Sequence, residues 1–300
     1  MYKTPKLNLD KRRFIVTSLA PALISLILIT VVPFIINIIN SFRDYYLVNP
    51  KGPTFIGLEN FKQILFNDAS FWHSLWVTLL FTAGCILIEF WLGLGIASLL
   101  SSGGPFRNVV RSILILPMAA TPVAVSFTWK IMYSPSLGII NYFLELLHIP
   151  GSSWVGDPKT ALLSVILVDA WQWTPFMMLI MLAGFMSLPS EPFEAATVDG
   201  AKDWQIFRYI TLPLLKPVAF TALLFRIIDA LKTFDIIFVL TRGGPGNATE
   251  TLNLYTYLKG FSYLRIGEAS ALAIIFLIII IVISQLFLKY TYLEFGGLSQ

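Results

Sequence analysis

The hydrophobic pattern of this chain consists of six long apolar stretches separated by polar segments. A helix needs about 20 predominantly apolar residues to cross a membrane. Each stretch is continuous and lacks the two-residue alternation of a barrel strand, so the pattern predicts an all-α integral membrane protein with six transmembrane helices. The predicted spans are 14 to about 42, 71–100, about 112–132, 161–188, 212–240 and 269–288.

Prolines inside two of these stretches predict kinks in the helices. Pro117 and Pro122 lie in the third stretch, and Pro175 lies in the fourth. Proline removes a backbone donor and bends a helix, but a membrane helix tolerates it. The third and fourth spans are therefore predicted to be kinked but continuous.

The composition agrees with a membrane location. Hydrophobic residues make up 56% of the 300 residues and charged residues only 13%, whereas a soluble domain carries roughly a quarter charged residues. The net charge of +4 comes from scattered Lys and Arg residues, while nucleic-acid binding requires a clustered basic face. The excess positive charge is therefore assigned to cytoplasmic loops, and no nucleic-acid partner is expected.

Basic residues near the N-terminus set the predicted orientation. Loops rich in Lys and Arg stay on the cytoplasmic side, and an even number of spans returns the C-terminus to that side. The predicted organisation is a cytoplasmic tail over 1–13, a transmembrane domain over 14–290 and a cytoplasmic tail over 291–300. The first stretch exceeds the roughly 7–15 residues of a signal-peptide core and is interpreted as an uncleaved anchor. The basic residues of the first tail are Lys3, Lys6, Lys11, Arg12 and Arg13.

The chain offers little catalytic or metal-binding chemistry. It has one cysteine, Cys85, and two histidines, so neither an internal disulfide nor a metal site is predicted. Cys85 lies in an apolar stretch and is interpreted as a core residue. The spans contain no Ser/His/Asp cluster, which disfavours a membrane-embedded enzyme. The sequence also lacks a Gly-x-x-x-x-Gly-Lys-Ser/Thr phosphate loop, so ATP hydrolysis by this chain is not expected.

The polar segment between the fourth and fifth stretches carries the most specific signal. Ser190 is a suitable N-cap, Glu191 and Glu194 place negative charge in the first turns, and Pro192 is tolerated there. Gly200 can end a helix in a left-handed conformation. The segment therefore predicts a short cytoplasmic helix at about residues 190–201.

Small and acidic residues indicate what this helix contacts. Ala195 and Ala196 allow another surface to approach closely. The alternative is an interfacial elbow resting on lipid, but anionic headgroups would repel the acids of this segment. A cytoplasmic protein partner is therefore favoured. The acids are Glu191, Glu194, Asp199 and Asp203.

The spacing of residues in and after this helix resembles a family signature. The pattern Glu-Ala-Ala, three residues, Gly, nine residues, Ile, one residue and Leu-Pro is similar to the signature loop of permease subunits in binding-protein-dependent ABC importers. Segments 57–61 and 241–245 are similar to its sugar-uptake branch, which includes maltose-type and glycerol-3-phosphate-type permeases. The matching residues are Glu194, Ala195, Ala196, Gly200, Ile210, Leu212 and Pro213.

The resemblance implies the type I permease fold of ABC importers. In that family the loop forms a coupling helix seated in a cleft of a cytoplasmic ATPase, where Glu194 would pair with a basic group and Gly200 would permit the sharp turn. The ATPase-coupling residues are then Glu194, Ala195, Ala196, Asp199, Gly200, Ile210, Leu212 and Pro213.

The resemblance also implies the partners and the location. Two cytoplasmic ATPase subunits would carry ATP and Mg, so no cofactor is expected on this chain. A second permease subunit, expected to be a different homologous chain, and an extracytoplasmic substrate-binding protein would complete the importer. The implied location is the cytoplasmic (inner) membrane of a bacterium or archaeon, in contact with lipid.

Ionisable residues at membrane depth are costly and by default suggest a functional site. Asp169 of the fourth span and Asp229 of the fifth lie near the midplane, because each is about 8–12 residues from the outer end of its span. Arg226, Asp229 and Thr233 are predicted to share one helical face, and Asp229 is expected to pair with Arg226 or Lys232. Glu89 in the second span is interpreted as a structural partner. The substrate-pathway candidates are Asp169, Trp171, Gln172, Trp173, Arg226, Asp229, Lys232 and Thr233.

These candidates have two interpretations. Aromatic faces beside hydrogen-bonding groups would suit a sugar, but pairing between helices and packing against a second permease would produce the same pattern. We therefore predict a permease subunit of an ATP-driven importer for a sugar, oligosaccharide or related polyol, which performs no bond chemistry. The alternative is an ion-coupled secondary transporter of a small polar solute, with Asp169, Asp229 and Glu89 as ion sites, which needs no ATPase and no function of residues 190–213.

Overall fold

The computed structural model describes residues 9–104 and 106–295. Of the two predicted tails, residues 1–8 and 296–300 lie outside the described residues. Residues 9–13 belong to the first helix and residues 291–295 to the last. The described parts of both tails therefore continue the neighbouring helices.

The described residues are predominantly helical, with one short antiparallel ribbon of β1 (Arg43–Asp44) and β2 (Thr54–Phe55). Within the described ranges, four π-helical turns continue or join helices, at Ile27–Val31, Gln63–Asn67, Phe207–Thr211 and Leu258–Ser262. The helices are α1 (Leu9–Leu26), α2 (Val32–Ser41), α3 (Glu59–Lys62), α4 (Ala69–Ser101), α5 (Arg107–Ala119), α6 (Pro122–Met132), α7 (Ile139–Leu146), α8 (Pro158–Met186), α9 (Glu191–Val198), α10 (Asp203–Ile206), α11 (Leu212–Leu231), α12 (Asp235–Leu240), α13 (Leu252–Tyr257) and α14 (Ile266–Phe295).

Four helical segments among the described residues are long and apolar enough to cross a membrane, and α5 with α6 makes a fifth candidate if the pair is one broken span. α11 covers most of the predicted fifth span but carries Lys216, Arg226 and Asp229 within its 20 residues, so its composition does not qualify. A multi-pass helical protein is confirmed, while the number six stays a prediction. The four segments are Val16–Ser41, Ala69–Ser101, Pro158–Met186 and Ile266–Lys289.

The predicted third span is not a continuous helix. α5 and α6 meet at 95°, a much larger change of direction than the predicted kink. Ala120 and Thr121 are extended. For Thr121 the cause is Pro122, which disfavours a helical conformation in the residue before it. The Thr121 hydroxyl then accepts a hydrogen bond from the Ala124 amide at 3.4 Å and caps α6.

The predicted fifth span is also interrupted. α11 ends at Leu231, residues 232–234 are not helical, and α12 begins at Asp235. A break in a helix frees backbone groups that need partners, and the Asn253 side-chain amide donates to the Lys232 carbonyl oxygen at 2.6 Å. This partner lies 21 residues further along the chain, so the apolar pattern of the span could not reveal the break.

One compact unit comprises the described residues up to Asn67 together with Thr256–Ile275. Its ribbon is held by the Asn60 side-chain amide, which donates to the carbonyl oxygens of Ser41 and Arg43, both at 2.9 Å. A Cβ atom at Gly267 would lie 2.1 Å from the Arg43 carbonyl oxygen, so this close approach requires glycine. Asn60 lies in segment 57–61. This part of the family resemblance therefore contains a residue that fixes the ribbon of this unit.

The second unit runs from Asp68 to Tyr255 and includes the described residues from Phe276 onward. Its core forms where α4 packs against α8 and where both pack against α11. Gly93 of α4 faces Met177 and Met178 of α8, and Gly184 of α8 faces Leu215 of α11. Small residues let membrane helices approach closely enough to gain van der Waals contact, which drives helix association in lipid.

The segment between α12 and α13 is attached to α4 by polar contacts. The Ser74 hydroxyl donates to the Glu250 carboxylate at 3.3 Å, and the Thr78 hydroxyl accepts from the Leu252 amide at 2.8 Å. Burial raises the pKa of Glu250, and the Ser74 hydrogen bond offsets part of that rise. The loop that contains segment 241–245 is thereby anchored at its far end.

Gly93→Ala is expected to lower the melting temperature, because the new Cβ would lie 2.8 Å from the Met177 side chain and 2.9 Å from the Met178 amide nitrogen. Forcing α4 and α8 apart should cost about 1–3 kcal/mol. Gly95→Ala in the same helix is the matched control, since nothing lies within 4 Å of its added Cβ. Thermal unfolding of the detergent-solubilised protein measures both, and equal melting temperatures would contradict the proposed packing.

Candidate functional site

A buried ion-pair network joins three helices of the second unit at Arg226. This α11 side chain is only 1% exposed. Its Nε and Nη2 atoms donate to the two carboxylate oxygens of Glu89 on α4, at 2.6 and 2.8 Å. Nη2 also donates to Asp169 on α8, and Nη1 donates to Asp229, one turn further along α11, at 3.2 Å. Each guanidinium nitrogen therefore donates to a carboxylate.

Charge balance explains why these contacts form together. A buried charge is costly unless it is paired and hydrogen-bonded, and Glu89 and Asp169 are both fully buried. The contact with Glu89 has the bidentate geometry of a strong arginine–carboxylate pair. Carboxylates nevertheless outnumber the guanidinium, and the Asp169 Oδ1 atom is buried with no hydrogen-bond partner among the described residues. The network therefore carries an excess of negative charge.

The same region brings together three residue types that bind metals. Cys85, Glu89 and Asp169 each offer a ligand atom within 4.8 Å of the others, and Cys85 is fully buried, as predicted for a core residue. Arg226 donates to both carboxylates, so a positive charge already lies beside the oxygens that a metal ion would need. These residues fit an arginine-centred network better than a metal site.

Two cavities border the network. The first, of about 160 Å³, lies at the break after α11. The second, of about 210 Å³, lies where the Arg226 guanidinium is 5.5 Å from the centre of the Trp173 ring, a cation–π distance. The Asp229 side chain is 50% exposed and lines both cavities. The charged and hydroxyl residues of the first cavity are Asp169, Asp229, Lys232, Thr233 and Asp235.

Most of the predicted pathway residues lie at these cavities. The exceptions are Gln172, which is buried and donates to the Ala120 carbonyl oxygen at 3.0 Å, and Trp171, whose ring packs edge-on against Trp129 with centres 5.6 Å apart. Both contacts join α8 to the bent α5–α6 pair. A pathway role stays a prediction for all eight candidates. The residues at the cavities are Asp169, Trp173, Arg226, Asp229, Lys232 and Thr233.

Two details of the site differ from the sequence analysis. Thr233 does not share a helical face with Arg226, because α11 ends before it, whereas the expected pairing of Arg226 with Asp229 is confirmed. Asp235 also lines the first cavity. It was not among the pathway candidates, because a continuous helix would direct it away from Arg226. The direct contact of Glu89 with Arg226 joins residues 137 positions apart. The sequence signal for this contact was one acid, Glu89, in the second apolar stretch and one arginine, Arg226, in the fifth.

The short helix predicted at about residues 190–201 is present as α9 (Glu191–Val198), and its cytoplasmic location stays a prediction. Gly200 has a φ of +74°, its amide donates to the Thr197 carbonyl oxygen at 3.1 Å, and the Ala201 amide donates to the Ala196 carbonyl oxygen at 2.9 Å. This is the Schellman arrangement, and it confirms the predicted left-handed end at Gly200. The Ser190 hydroxyl forms no capping bond, because its backbone is already helical with φ −73° and ψ −29°.

The surface around α9 is largely uncovered in this chain. Val198 is 88% exposed, Trp204 68% and Tyr209 73%. Water disfavours so many large apolar side chains close together, so this surface is a candidate protein interface. The exposed members of the predicted coupling set are Glu194, Ala195, Asp199, Gly200 and Pro213, and the half-buried members are Ala196, Ile210 and Leu212.

The fold has a solved counterpart. One chain in the crystal structure of a bacterial ABC transporter involved in the import of the acidic polysaccharide alginate matches with a TM-score of 0.81. The match covers 94% of this chain and 96% of that chain at 23% identity, and it shows the fold alone. The chain therefore has the helical type I permease fold of ABC importers.

The family follows from the sequence profile of the binding-protein-dependent transport system inner membrane component, which matches residues 89–292. The chain belongs to this family and is a multi-pass inner-membrane transport component, not an enzyme. It is 38% identical over 254 residues to the trehalose/maltose transport system permease protein MalF of Thermococcus litoralis, covering 84% of each chain. It is 36% identical to the sulfoquinovosyl glycerol transport system permease protein SmoG of Agrobacterium fabrum, covering 94% of this chain and 92% of that one. The resemblance to sugar-uptake permeases is confirmed.

Arg226→Met is expected to destabilise the protein by about 3–5 kcal/mol, because it leaves the buried Glu89 and Asp169 carboxylates without their cation. Adding Glu89→Gln to that variant should recover part of the loss, since it removes one of the unpaired charges. Lys232→Met is the control, because it removes an exposed cation that directly follows α11. Melting temperature and monodispersity after purification measure the series. Similar effects of Arg226→Met and Lys232→Met would refute the network.

Proposed function

We propose that this chain is a permease subunit of an ATP-driven importer for a sugar, oligosaccharide or related polyol. It forms the translocation pathway with a second, homologous permease subunit and receives substrate from an extracytoplasmic binding protein. Two cytoplasmic ATPase subunits bind ATP and Mg and drive it through residues 190–213. The chain itself binds no cofactor.

The observation that carries this proposal is the uncovered surface of α9. A short helix with exposed acids and small residues lies between α8 and α11, and its C-terminal end is fixed by the Schellman turn at Gly200. Glu194 and Ala195 are exposed, so an ATPase cleft can receive them without rearrangement of this chain. The family match supports an ATPase as the occupant of this surface.

A continuous path leads from α9 to the buried network. After α9, Trp204 of α10 stacks on Phe207 with ring centres 6.1 Å apart, and the π-helical turn Phe207–Thr211 continues directly into α11. α11 carries Arg226, which is bonded to α4 and α8. Displacement of α9 by the ATPases therefore acts on the helices that line the cavities through packed elements.

The proposal includes six spans with both termini in the cytoplasm. Supporting it, α11 and α12 together cover the predicted fifth span, and Arg226 and Asp229 of α11 are paired within the protein. Membrane helices tolerate such breaks and charges where they line a cavity. The Lys and Arg residues of the N-terminal tail support the orientation.

The ion-coupled alternative is less well supported. It requires Glu89, Asp169 and Asp229 to bind a proton or sodium ion, but each of them contacts the Arg226 guanidinium. A fixed positive charge at that position repels a coupling cation. It also assigns no function to the uncovered surface of α9.

The substrates named for the relatives do not indicate whether the substrate of this chain is charged. They include a trehalose/maltose system and, among solved folds, an importer of the acidic polysaccharide alginate. The residues of this chain that line the cavities must decide it. The proposed cargo is therefore limited to the sugar class, with the substrate itself open.

Ala195→Trp is expected to abolish coupling while leaving the permease folded, because Ala195 is exposed and the indole would be accommodated in the isolated chain. Association with the ATPase subunits should weaken at least about tenfold, which needs a misfit of only about 1.4 kcal/mol. Ala69→Trp, an exposed alanine at the start of α4, is the control. Co-purification with the ATPases and ATP-dependent uptake are the measurements.

The proposal fails if the chain purifies without any ATPase, or if Ala195→Trp leaves both association and uptake unchanged. A reduced melting temperature of the isolated Ala195→Trp permease would indicate misfolding, and Gly200→Asn would then replace it. Asparagine tolerates the left-handed backbone of Gly200 and adds bulk at the same surface.

A further inference from the structure

We propose that the cavity at the break after α11 is a charge filter, which admits uncharged, hydroxyl-bearing sugars and rejects sugars that carry carboxylate, sulfonate or phosphate groups. This inference rests on the proposed function, because it assigns a substrate class to the same pathway. Its basis is the charge and the acceptor capacity of the cavity wall.

Negative charge dominates this cavity. Three carboxylates line it, from Asp169, Asp229 and Asp235, against the single ammonium of Lys232. At the low effective dielectric of a membrane protein, this imbalance acts over the whole cavity. An anionic sugar entering it would meet a net repulsion.

Arg226 does not reverse this balance. Its guanidinium is 1% exposed, and its nitrogens donate to Glu89, Asp169 and Asp229. An anion could pair with Arg226 only by displacing a carboxylate. Displaced Glu89 or Asp169 would be left buried and unpaired, and Asp229, whose side chain is 50% exposed, would stay in the cavity and repel the anion. The arginine is therefore committed to holding the helices together and is not available as an anion receptor.

The wall instead offers hydrogen-bond acceptors that a solute can reach. Half of the Asp229 side chain is exposed, and Asp235 is exposed as well. Sugar hydroxyl groups donate to such oxygens, whereas ionised acidic groups only accept. The Trp173 ring lines the same cavity and presents an apolar face for the C–H surface of a sugar ring.

The helix break makes this chemistry accessible. Lys232 and Asp235 are exposed and Thr233 is half-buried, so the cavity wall at residues 232–235 is open to a solute. The Thr233 hydroxyl is similar in size to a thiol, so replacing this residue with cysteine is a small change. Thr233 is therefore a suitable reporter position for the field inside the cavity.

The experiment compares a cationic and an anionic thiol reagent at this position in the assembled importer. Cys85, the one cysteine of the chain, is replaced by alanine, and Thr233→Cys is introduced. The reagents are trimethylammonium-ethyl and sulfonatoethyl methanethiosulfonate, which share a reactive group and differ in charge. Mass spectrometry of this chain gives each labelling rate. Leu137→Cys, at a position 91% exposed, corrects for the intrinsic difference between the reagents.

The corrected ratio of cationic to anionic labelling at residue 233 is expected to be about a hundredfold, because one net negative charge about 10 Å away at an effective dielectric of about 20 favours the cationic reagent about tenfold and disfavours the anionic one about tenfold. Asp235→Asn should lower the ratio and Lys232→Gln should raise it. Glu145→Gln removes an exposed acid from α7 and should leave the ratio unchanged. A ratio at or below that of the control position, or no response to Asp235→Asn, would overturn the inference.

Sugar protection tests the hydroxyl preference. D-glucose should slow labelling by the cationic reagent at residue 233, whereas D-glucuronate at the same concentration should not. Protection by glucuronate alone, equal protection by both or protection by neither would overturn the proposal. If Thr233→Cys fails to assemble, Lys232→Cys reports on the same cavity and should show a still larger ratio.

These outcomes are separable from the proposed function. Labelling needs no ATP hydrolysis, so a charge filter would be detected even if the ATPase coupling were absent. Conversely, loss of the filter would leave the association experiment with Ala195→Trp unaffected.

Discussion

The pairing of Arg226 with Glu89 and Asp169 is the constraint on which the rest of the second unit depends. All three side chains are buried, and in a membrane each would be prohibitively costly alone. They are stable only together, so α4, α8 and α11 must remain in register at this depth. The glycine contacts between the same helices provide close packing, but packing alone would allow the helices to slide.

The breaks in the helices of the second unit lie beside the first cavity. The bend before Pro122 and the break at residues 232–234 both contribute to the first cavity. Unpaired backbone groups cannot face lipid, but they can line a cavity that admits water or a solute. The same breaks place Asp235 and Thr233 on the cavity wall, where a continuous helix would not.

Parts of the fold and site followed from local chemistry. The end of α9 needed only Gly200 and the residues just before it, because a Schellman turn is a local structure. The pairing of Arg226 with Asp229 followed from their spacing on one helix. The Ser190 cap was wrong, since the chain enters α9 already helical and leaves the hydroxyl without its usual geometry.

The sequence by itself determined that the chain is a helical membrane protein with a short helix ending at Gly200 and polar groups inside its apolar stretches. These properties depend on hydrophobicity, helix-end chemistry and motif spacing, which act over a few residues. Only the tertiary structure decided that Glu89 is the bidentate partner of Arg226, that α5 and α6 bend by 95°, and that Asn253 supports the break after Leu231. Those features join residues far apart in the chain, and the free energy that selects them exists only once the helices have packed.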